Sequence, residues 1–260
     1  MMRRHSLRVG RYRVGIAWLP AVVALALLAL MLWAGFWQLG RSEDKRRIIV
    51  EESYRRAKPP LVLDAALPAG TDLALLRNRR AVAFGSYLSD RQYLLDNRTH
   101  RGVAGYHVLT PMRLERGDAY LLVNRGWLAV GPDRNRLPDV AVSAGALSAQ
   151  GLIVAPPGSG LALGPSGYAT GTWPRVVQRI DAARIEAELG APLLPFVLRL
   201  SPESEHGYVR EWQQRTGLSP ERHLGYAVQW FAMAAALAAL CVIVSVRRAP
   251  EDRSEDGHGA

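Results

Sequence analysis

The chain has 260 residues, of which 49% are hydrophobic and 22% charged, and its formal net charge at pH 7 is +10. Its single cysteine, Cys241, excludes an intramolecular disulfide, a CxxC redox centre and a zinc site built from several thiolates. Outside the two long apolar runs and the first two residues, the only soft sulfur ligand is Met112, which disfavours a copper metallochaperone. Most basic residues are Arg, but no basic stretch is interleaved with stacking aromatics, so nucleic acid is not an expected partner.

The first predicted element is an uncharged apolar run at 14–37. At a helical rise of about 1.5 Å per residue, this run is long enough to cross a hydrocarbon core of about 30 Å. A cleaved signal peptide is the alternative, because five Arg precede the run, but the apolar core exceeds the roughly 7–15 residues of such peptides. We therefore predict a basic tail at 1–13 and a transmembrane helix at 14–37.

The segment 38–222 is predicted to form one extracytoplasmic domain. It begins with a charged, helix-compatible stalk at 41–58 that ends at Pro59 and Pro60. Short runs with β character follow, separated by Asp, Asn, Gly and Pro clusters, at 80–88, 92–97, 106–112, 119–127, 146–154, 174–180 and 196–200. One helix is predicted at 181–190, because an Asp cap opens that stretch and Gly closes it. A Gly-, Pro- and Ser-rich stretch at 155–171 is predicted as a surface loop.

A second uncharged run at 224–246 predicts a second transmembrane helix, because it lacks the polar face of a soluble core helix. The polar tail at 247–260 is predicted to be disordered. Basic residues in both short tails place both termini in the cytoplasm, although the basic cluster at 41–47 opposes this locally. We expect the inner membrane of a bacterium, with the main domain in the periplasm.

The predicted fold class is therefore membrane α+β. Two transmembrane helices form a hairpin that flanks one antiparallel, β-rich domain with one helix, whose sheet could close partly into a barrel. The sequence contains no GxSxG, HExxH or Walker motif, and the glycines at 158–164 are one residue too widely spaced for a dinucleotide fingerprint. These observations disfavour an enzyme, although an anchored periplasmic enzyme stays a third alternative.

His223 is the candidate ligand because it is the last polar side chain before the second apolar run. An imidazole there could coordinate haem iron, and the alternative is an interfacial histidine bonded to water or headgroups. Trp230 lies two helical turns further along the same face, about 10.5 Å away along the axis. The same helix carries many small residues, which leave room either for close packing of another helix or for a flat cofactor. They are Gly225, Ala227, Ala232, Ala234, Ala235, Ala236, Ala238 and Ala239. His100 and His107 are a second pair of possible ligands, although structural roles are commoner for such residues.

Four motifs occur in a fixed order along the chain: GFWQLGR at 35–41, RGVAGYHVLTP at 101–111, LVNRGW at 122–127 and RHLGYAVQWF at 222–231. Together they resemble the Surfeit locus protein 1 family of cytochrome c oxidase assembly factors over residues 35–235. The resemblance implies an accessory protein, not an enzyme, that acts when haem a enters the catalytic subunit of a haem-copper oxidase. The expected partners are that subunit, haem a synthase, other assembly factors and membrane lipid.

The resemblance also assigns roles to residues. It implies that His223 ligates the iron of transiently bound haem a and that Trp230 lines the site. We expect the small-residue surface and the first span near Trp37 to shelter the macrocycle, and Arg222 or Arg41 to neutralise a propionate. Arg222 stands where the family often has asparagine. The alternative within the same pathway is a haem-free scaffold that stabilises an oxidase subunit or recruits other assembly factors.

A corner of the central domain is the predicted partner-binding surface. Asn124, Arg125 and Trp127 end a predicted strand, and exposed Arg and Trp side chains are frequent binding anchors. The alternative is that Trp127 belongs to the core and Arg125 pairs with a structural acid.

Overall fold

The computed structural model describes residues 4–9, 12–68, 71–133, 136–143, 145–157, 173–212 and 217–248. The chain divides into two compact units, Met1–Val50 with Arg215–Ala260 and Glu51–Gln214. The tail at 249–260 and most of the loop predicted at 155–171 lie outside the described residues.

The elements of the described residues are numbered in chain order. The helices are α1 (Trp18–Ala57), α2 (Leu73–Leu76), α3 (Ala182–Leu189) and α4 (Pro220–Ser245). The strands are β1 (Arg4–Val9), β2 (Tyr12–Ala17), β3 (Leu61–Leu63), β4 (Arg80–Tyr87), β5 (Tyr93–His100), β6 (Val103–Leu114), β7 (Tyr120–Ala129), β8 (Ala146–Val154), β9 (Arg175–Val177), β10 (Leu193–Leu200) and β11 (Val246–Arg248).

Helices α1 and α4 contain most of the two apolar runs, and both are long and apolar enough to cross a membrane. Only 11% of the apolar window of each helix is buried, unlike the core helix of a soluble domain. Helix α1 begins at Trp18, with Pro20 in its first turn, where the missing N–H costs no helical hydrogen bond. It continues past the apolar run to Ala57, just before Pro59 and Pro60.

The two long helices pack against each other in antiparallel orientation along one seam. The seam residues, all buried or half-buried, follow alternating steps of four and three: Ala24, Leu28, Met31, Gly35, Gln38, Ser42 and Lys45 on α1, and His223, Ala227, Trp230, Ala234, Leu237 and Cys241 on α4. This spacing is typical of coiled-coil packing. At its centre the Phe231 ring lies directly on Gly35, where an added Cβ would be 2.6 Å from a ring atom.

The ends of this unit form a small antiparallel sheet in the order β1-β2-β11. The predicted start of the first helix at residue 14 is wrong, because residues 14–17 belong to β2 and pair with β1. Residues 246–248 leave α4 and pair with β2 as β11.

The second unit contains a mixed, mostly antiparallel sheet in the order β3-β4-β8-β10-β7-β6-β5-β9. An additional pairing of β4 with β6 closes strands β4, β8, β10, β7 and β6 into a ring. The closure occurs at Gly85, where any Cβ would overlap the carbonyl oxygen of Arg113. The predicted fold class is confirmed, with the additional one-turn helix α2 and parallel pairings at β3–β4, β5–β9 and β7–β10.

The ring encloses the largest apolar cluster of the unit. Met112 on β6, Leu121 on β7 and Leu198 on β10 are fully buried there. Side chains that point into the ring alternate along each strand with side chains that point out of it. Helix α3 covers the opposite face with Ile185, which packs in a second cluster with Leu109 and residues of β5. Asp181 caps this helix, and Gly190 ends it in the left-handed conformation. Both predicted helix ends are therefore confirmed.

Candidate functional site

The first turn of α4 holds His223 against α1. His223 is only 8% exposed, and its Nδ1 lies 2.7 Å from Oε1 of Gln38. An amide oxygen only accepts hydrogen bonds, so Nδ1 carries a ring hydrogen, and the neutral imidazole then has its lone pair on Nε2. This is the tautomer that can ligate a metal through Nε2.

Local sequence fixes where this turn begins. Ser219 is the capping residue, since its Oγ accepts from the Arg222 N–H at 3.4 Å, and Pro220 occupies the first helical position. The hydroxyl of buried Ser42 donates to the Pro220 carbonyl oxygen at 2.9 Å. Two hydrogen bonds between the helices, one from Ser42 and one to Gln38, therefore lock the position of the His223 backbone and ring.

Gln38 and Ser42 are site residues that the sequence reasoning did not identify. Gln38 stands immediately after the apolar run of α1, and Ser42 follows it one turn later on the same helix face. A sequence signal for them exists, because two uncharged polar residues four positions apart end an otherwise apolar helix face. Their partners on α4 could not be read from the sequence alone.

The structure separates the predicted haem residues into two groups. His223 and half-buried Trp230 lie on the α1-facing side of α4, seven residues apart. Trp37 is 50% exposed on α1, and Arg222 and Arg41 are also exposed. The structure thus unites His223 with Trp230 but leaves the other predicted residues on the outer surface of the pair.

The small residues of α4 do not form one surface beside His223. Ala227 and Ala234 lie on the same helix face as His223 but are buried. Gly225, Ala232 and Ala236 are exposed and, at about 100° per residue, lie roughly half a turn around the helix from His223. The expected shelter for a macrocycle between the two helices is therefore not supported by this geometry.

The donor chemistry nevertheless fits a haem with one protein ligand. A neutral imidazole with its Nδ1–H engaged offers a single nitrogen donor, as in proteins with one axial histidine. Among the described residues, no group of three or more His, Cys, Asp and Glu side chains could hold a metal ion.

The predicted partner surface at 124–127 is buried. Asn124, Arg125 and Trp127 are 4%, 3% and 8% exposed, so the expectation of exposed anchors is wrong for these side chains. The Trp127 indole N–H donates to the Arg98 carbonyl oxygen at 2.8 Å. Binding of an oxidase subunit near this corner stays a prediction.

Arg125 is bonded to oxygens of carbonyl and amide groups. Its Nε donates to the His206 carbonyl oxygen at 2.7 Å, and its Nη1 donates to the Val140 carbonyl oxygen at 3.0 Å and to Gln92 Oε1 at 3.1 Å. Its guanidinium lies 5.0 Å from the centre of the Tyr208 ring. Burial lowers the pKa of Arg125, and Tyr208 opposes that shift. Arg125 therefore ties three chain segments together.

These features define a class: a protein with two helices able to span a membrane, joined by a β-rich domain, with a tautomer-fixed histidine where the second helix begins. The sequence model of the SURF1 family matches residues 25–235. The chain belongs to the SURF1 family.

Curated relatives agree with this assignment. A SURF1-like protein of Drosophila melanogaster is 27% identical over 242 residues, which cover 87% of this chain and 77% of the relative. SURF1-like proteins of Dictyostelium discoideum and Monosiga brevicollis are 32% and 31% identical over shorter segments, which cover 39% and 44% of this chain. These segments span less than half of either relative, 39% and 45% respectively.

Proposed function

We propose that this protein is a non-enzymatic assembly factor for haem-copper terminal oxidases, which binds haem a through His223 and assists its insertion into the catalytic subunit. Membership of the SURF1 family supports a role in oxidase assembly in general. The two apolar helices are consistent with a two-pass membrane protein, where a hydrophobic cargo is accessible.

The observation that carries the haem proposal is the hydrogen bond between His223 and Gln38. It selects the tautomer with a free lone pair on Nε2 and fixes the ring plane, which are the two requirements for an axial histidine. The buried backbone of this turn adds rigidity through the Ser42 hydroxyl. Ligand and support thus come from opposite helices of one packed pair.

Haem a, when bound, would supply an iron atom that accepts the lone pair of the imidazole nitrogen. On the protein side, His223 donates one neutral ligand, Gln38 holds its proton at Nδ1, and Trp230 contributes an aromatic surface two turns away. A single neutral ligand suits a transfer protein, because a second strong ligand would oppose release. Arg222, exposed on the same turn, is available to pair with a propionate.

We further propose the inner membrane of a bacterium as the location, with cytoplasmic termini and a periplasmic β-rich unit. The support is the five Arg before the first apolar run and Arg247 and Arg248 after the second. The proposed partners are the oxidase catalytic subunit, haem a synthase and other assembly factors.

A haem-free scaffold is the second candidate, and the packing of Phe231 between the helices favours it. Gly35 packs directly on Phe231, and Phe36 meets the same ring edge-on at 5.2 Å between centroids. Beside these contacts, the histidine–glutamine pair would have a structural role and would hold the helices together for partner binding.

Optical spectra of the full-length protein separate the two candidates. Protein made in cells that synthesise haem a and extracted in detergent should show Soret absorption, and His223→Ala should lower haem per protein by about tenfold or more. His206→Asn is the matched control, since His206 is exposed and Asn tolerates its positive φ of 61°. Colourless wild-type protein, together with full rescue of oxidase activity by His223→Ala, would establish the scaffold instead.

A further inference from the structure

The β-rich unit contains a cavity of about 370 Å³ on the outer face of its sheet. Strands β5, β6, β7 and β10 contribute Arg98, His107, Asn124 and Arg199 to its wall, and Trp212 follows from the segment after β10. Arg199 alternates along β10 with residues of the barrel core, so its side chain leaves the barrel on this outer face. The cavity is in the size range of small-ligand sites.

Two guanidinium groups in this wall have no acidic partner among the described residues. The Nε atoms of Arg98 and Arg199 are buried and make no hydrogen bond. Burial lowers the pKa of both groups, and for Arg199 the nearby charge of Arg56 adds to the effect. A half-buried cation without a counter-charge is partly desolvated at a cost in free energy, so such a site favours binding of an anion.

The acidic residue of the wall is already engaged. Glu211 forms a bidentate pair with Arg101, with its nearest oxygen 2.7 Å from Arg101 Nη2, and lies 3.6 Å from His100 Nε2. It therefore leaves Arg98 and Arg199 uncompensated. These guanidinium groups also disfavour a cationic ligand by repulsion.

The rest of the wall is flat, aromatic and held in place. The guanidinium of Arg199 lies 5.1 Å from the centre of the Trp212 ring, whose N–H donates to the Leu200 carbonyl oxygen at 2.9 Å. The His107 ring meets Trp212 edge-on at 5.7 Å. The wall thus places planar apolar surface beside fixed cationic donors.

His107 completes the wall as a neutral group. Burial, followed by the charges of Arg98 and Arg199, lowers its pKa to about 4. The Asn124 amide donates to its Nδ1 at 3.3 Å, so Nε2 carries the hydrogen and can donate. His107 therefore adds a hydrogen-bond donor to the cavity without adding charge.

We propose that this cavity binds a small ligand with an oxyanion group, carboxylate or phosphate, attached to a flat apolar body. The oxyanion pairs with Arg98 and Arg199, whose planar forks match its oxygens, and the apolar part lies against Trp212. This site is independent of the haem proposal and of His223, so either one can fail without the other.

Thermal unfolding of the full-length protein in detergent tests the site, because a ligand of the folded state raises the unfolding temperature. Benzoate and phenyl phosphate are the probes for carboxylate and phosphate, inorganic phosphate tests the need for the aromatic body, and benzamide is the uncharged control. We expect saturable stabilisation by at least one of the two aromatic anions and none by benzamide. The stronger of the two identifies the preferred oxyanion, and absence of stabilisation by both would overturn the proposal.

Matched variants locate the effect. Arg199→Gln and Arg98→Gln should each weaken binding of the effective probe by about tenfold, whereas Arg80→Gln, which changes an exposed strand arginine, should not. Equal binding by all three variants would contradict the site.

A measurement on the wild-type chain covers the case in which the arginine variants do not fold. The bound anion neutralises the charges that depress His107, so its pKa, followed by NMR of the ring, should rise on saturation with the effective probe. The other ionisable groups of this wall are His100 and Glu211, with Arg101 bonded to Glu211. An unchanged pKa at saturation would place the probe elsewhere and refute the assignment.

Discussion

At the scale of single residues, one glutamine determines which nitrogen of His223 can react. The amide oxygen of Gln38 lies 2.7 Å from Nδ1 and can only accept, so the proton is held on the side of α1. Partners of this kind orient a ligand and tune its basicity, and their loss typically costs 10–100-fold in metal affinity. Gln38 is thus a positioning residue for the proposed ligand.

Substitution of Gln38 should change the iron–nitrogen bond. Gln38→Met keeps a side chain of similar length without the acceptor, so we expect about tenfold weaker haem binding and a lower iron–histidine stretching frequency in the ferrous protein. Gln38→Glu supplies a charged acceptor and should raise that frequency. Resonance Raman spectra measure the shift, and Gln229→Met, on an exposed face of α4, is the control. Identical frequencies in all four proteins would show that Gln38 does not position the ligand.

Arg125 should prove irreplaceable even by lysine. The three donors of an ammonium share one nitrogen, whereas Arg125 reaches the His206 carbonyl oxygen from Nε and the oxygens of Val140 and Gln92 from Nη1, so buried acceptors lose donors in the lysine variant. We expect Arg125→Lys to lower the free energy of unfolding by about 2–4 kcal/mol. Denaturant titration of the full chain measures this loss, with Arg80→Lys as a control that should stay within about 0.5 kcal/mol of wild type.

The residue scale also shows how far sequence reasoning reaches. His223 could be selected because it borders an apolar run, but its acceptor is separated from it by 185 positions, and no local pattern encodes that contact. Asn124, Arg125 and Trp127 were misjudged as exposed for a related reason. Their polar groups are satisfied by backbone oxygens of distant segments, which only the fold brings together.

At the scale of elements, the seam between α1 and α4 has small residues at several of its buried positions. Gly35 lets the Phe231 ring lie directly against α1, and Ala227 and Ala234 are buried on the same face of α4 as His223. Without a hydrophobic driving force in lipid, such packing supplies much of the association energy of membrane helices.

Enlarging Gly35 should therefore separate the helices. Gly35→Leu should destabilise the pair by about 1–3 kcal/mol through overpacking, and Phe231→Ala in the same chain should recover part of the loss. Gly225→Leu is the matched control, since nothing lies within 4 Å of a Cβ added there. Unfolding of the helices in mixed micelles, followed by far-UV circular dichroism as detergent denaturant increases, reports the difference. Equal stability of the two leucine variants would contradict this account of the seam.

The type of each element was easier to predict than the pairings between elements. Short runs with β character, separated by turn residues, identify the strands of the sheet, and an Asp cap and a Gly terminator identify α3. The closure of β4 onto β6 depends instead on Gly85, where two backbones nearly touch, and on no signal within either strand. Register between distant strands is a property of the assembled sheet.

At the scale of the whole molecule, basic residues outnumber acidic ones, and the excess charge is not all solvated. The cavity of the β-rich unit keeps Arg98 and Arg199 partly buried, and burial, followed by the charges of these two arginines, lowers the pKa of His107 beside them to about 4. Protonation of His107 is therefore one route by which acid destabilises this unit.

The stability of the full chain should fall between pH 6.5 and pH 4. The pKa of His107 is about 4 in the folded protein and near its ordinary 6.5 when unfolded, so in this window the unfolded chain binds more protons. The contribution of neutral His107 to the free energy of unfolding is complete above pH 6.5 and decreases as the pH falls. The full decrease is at most about 3 kcal/mol, and it is smaller because solvent screens the half-buried ring. Denaturant titrations at pH 7, 6, 5 and 4.5 measure the slope. His107→Gln should flatten it and His206→Asn should leave it unchanged, whereas equal slopes for wild type and His107→Gln would show that the ring is already solvated.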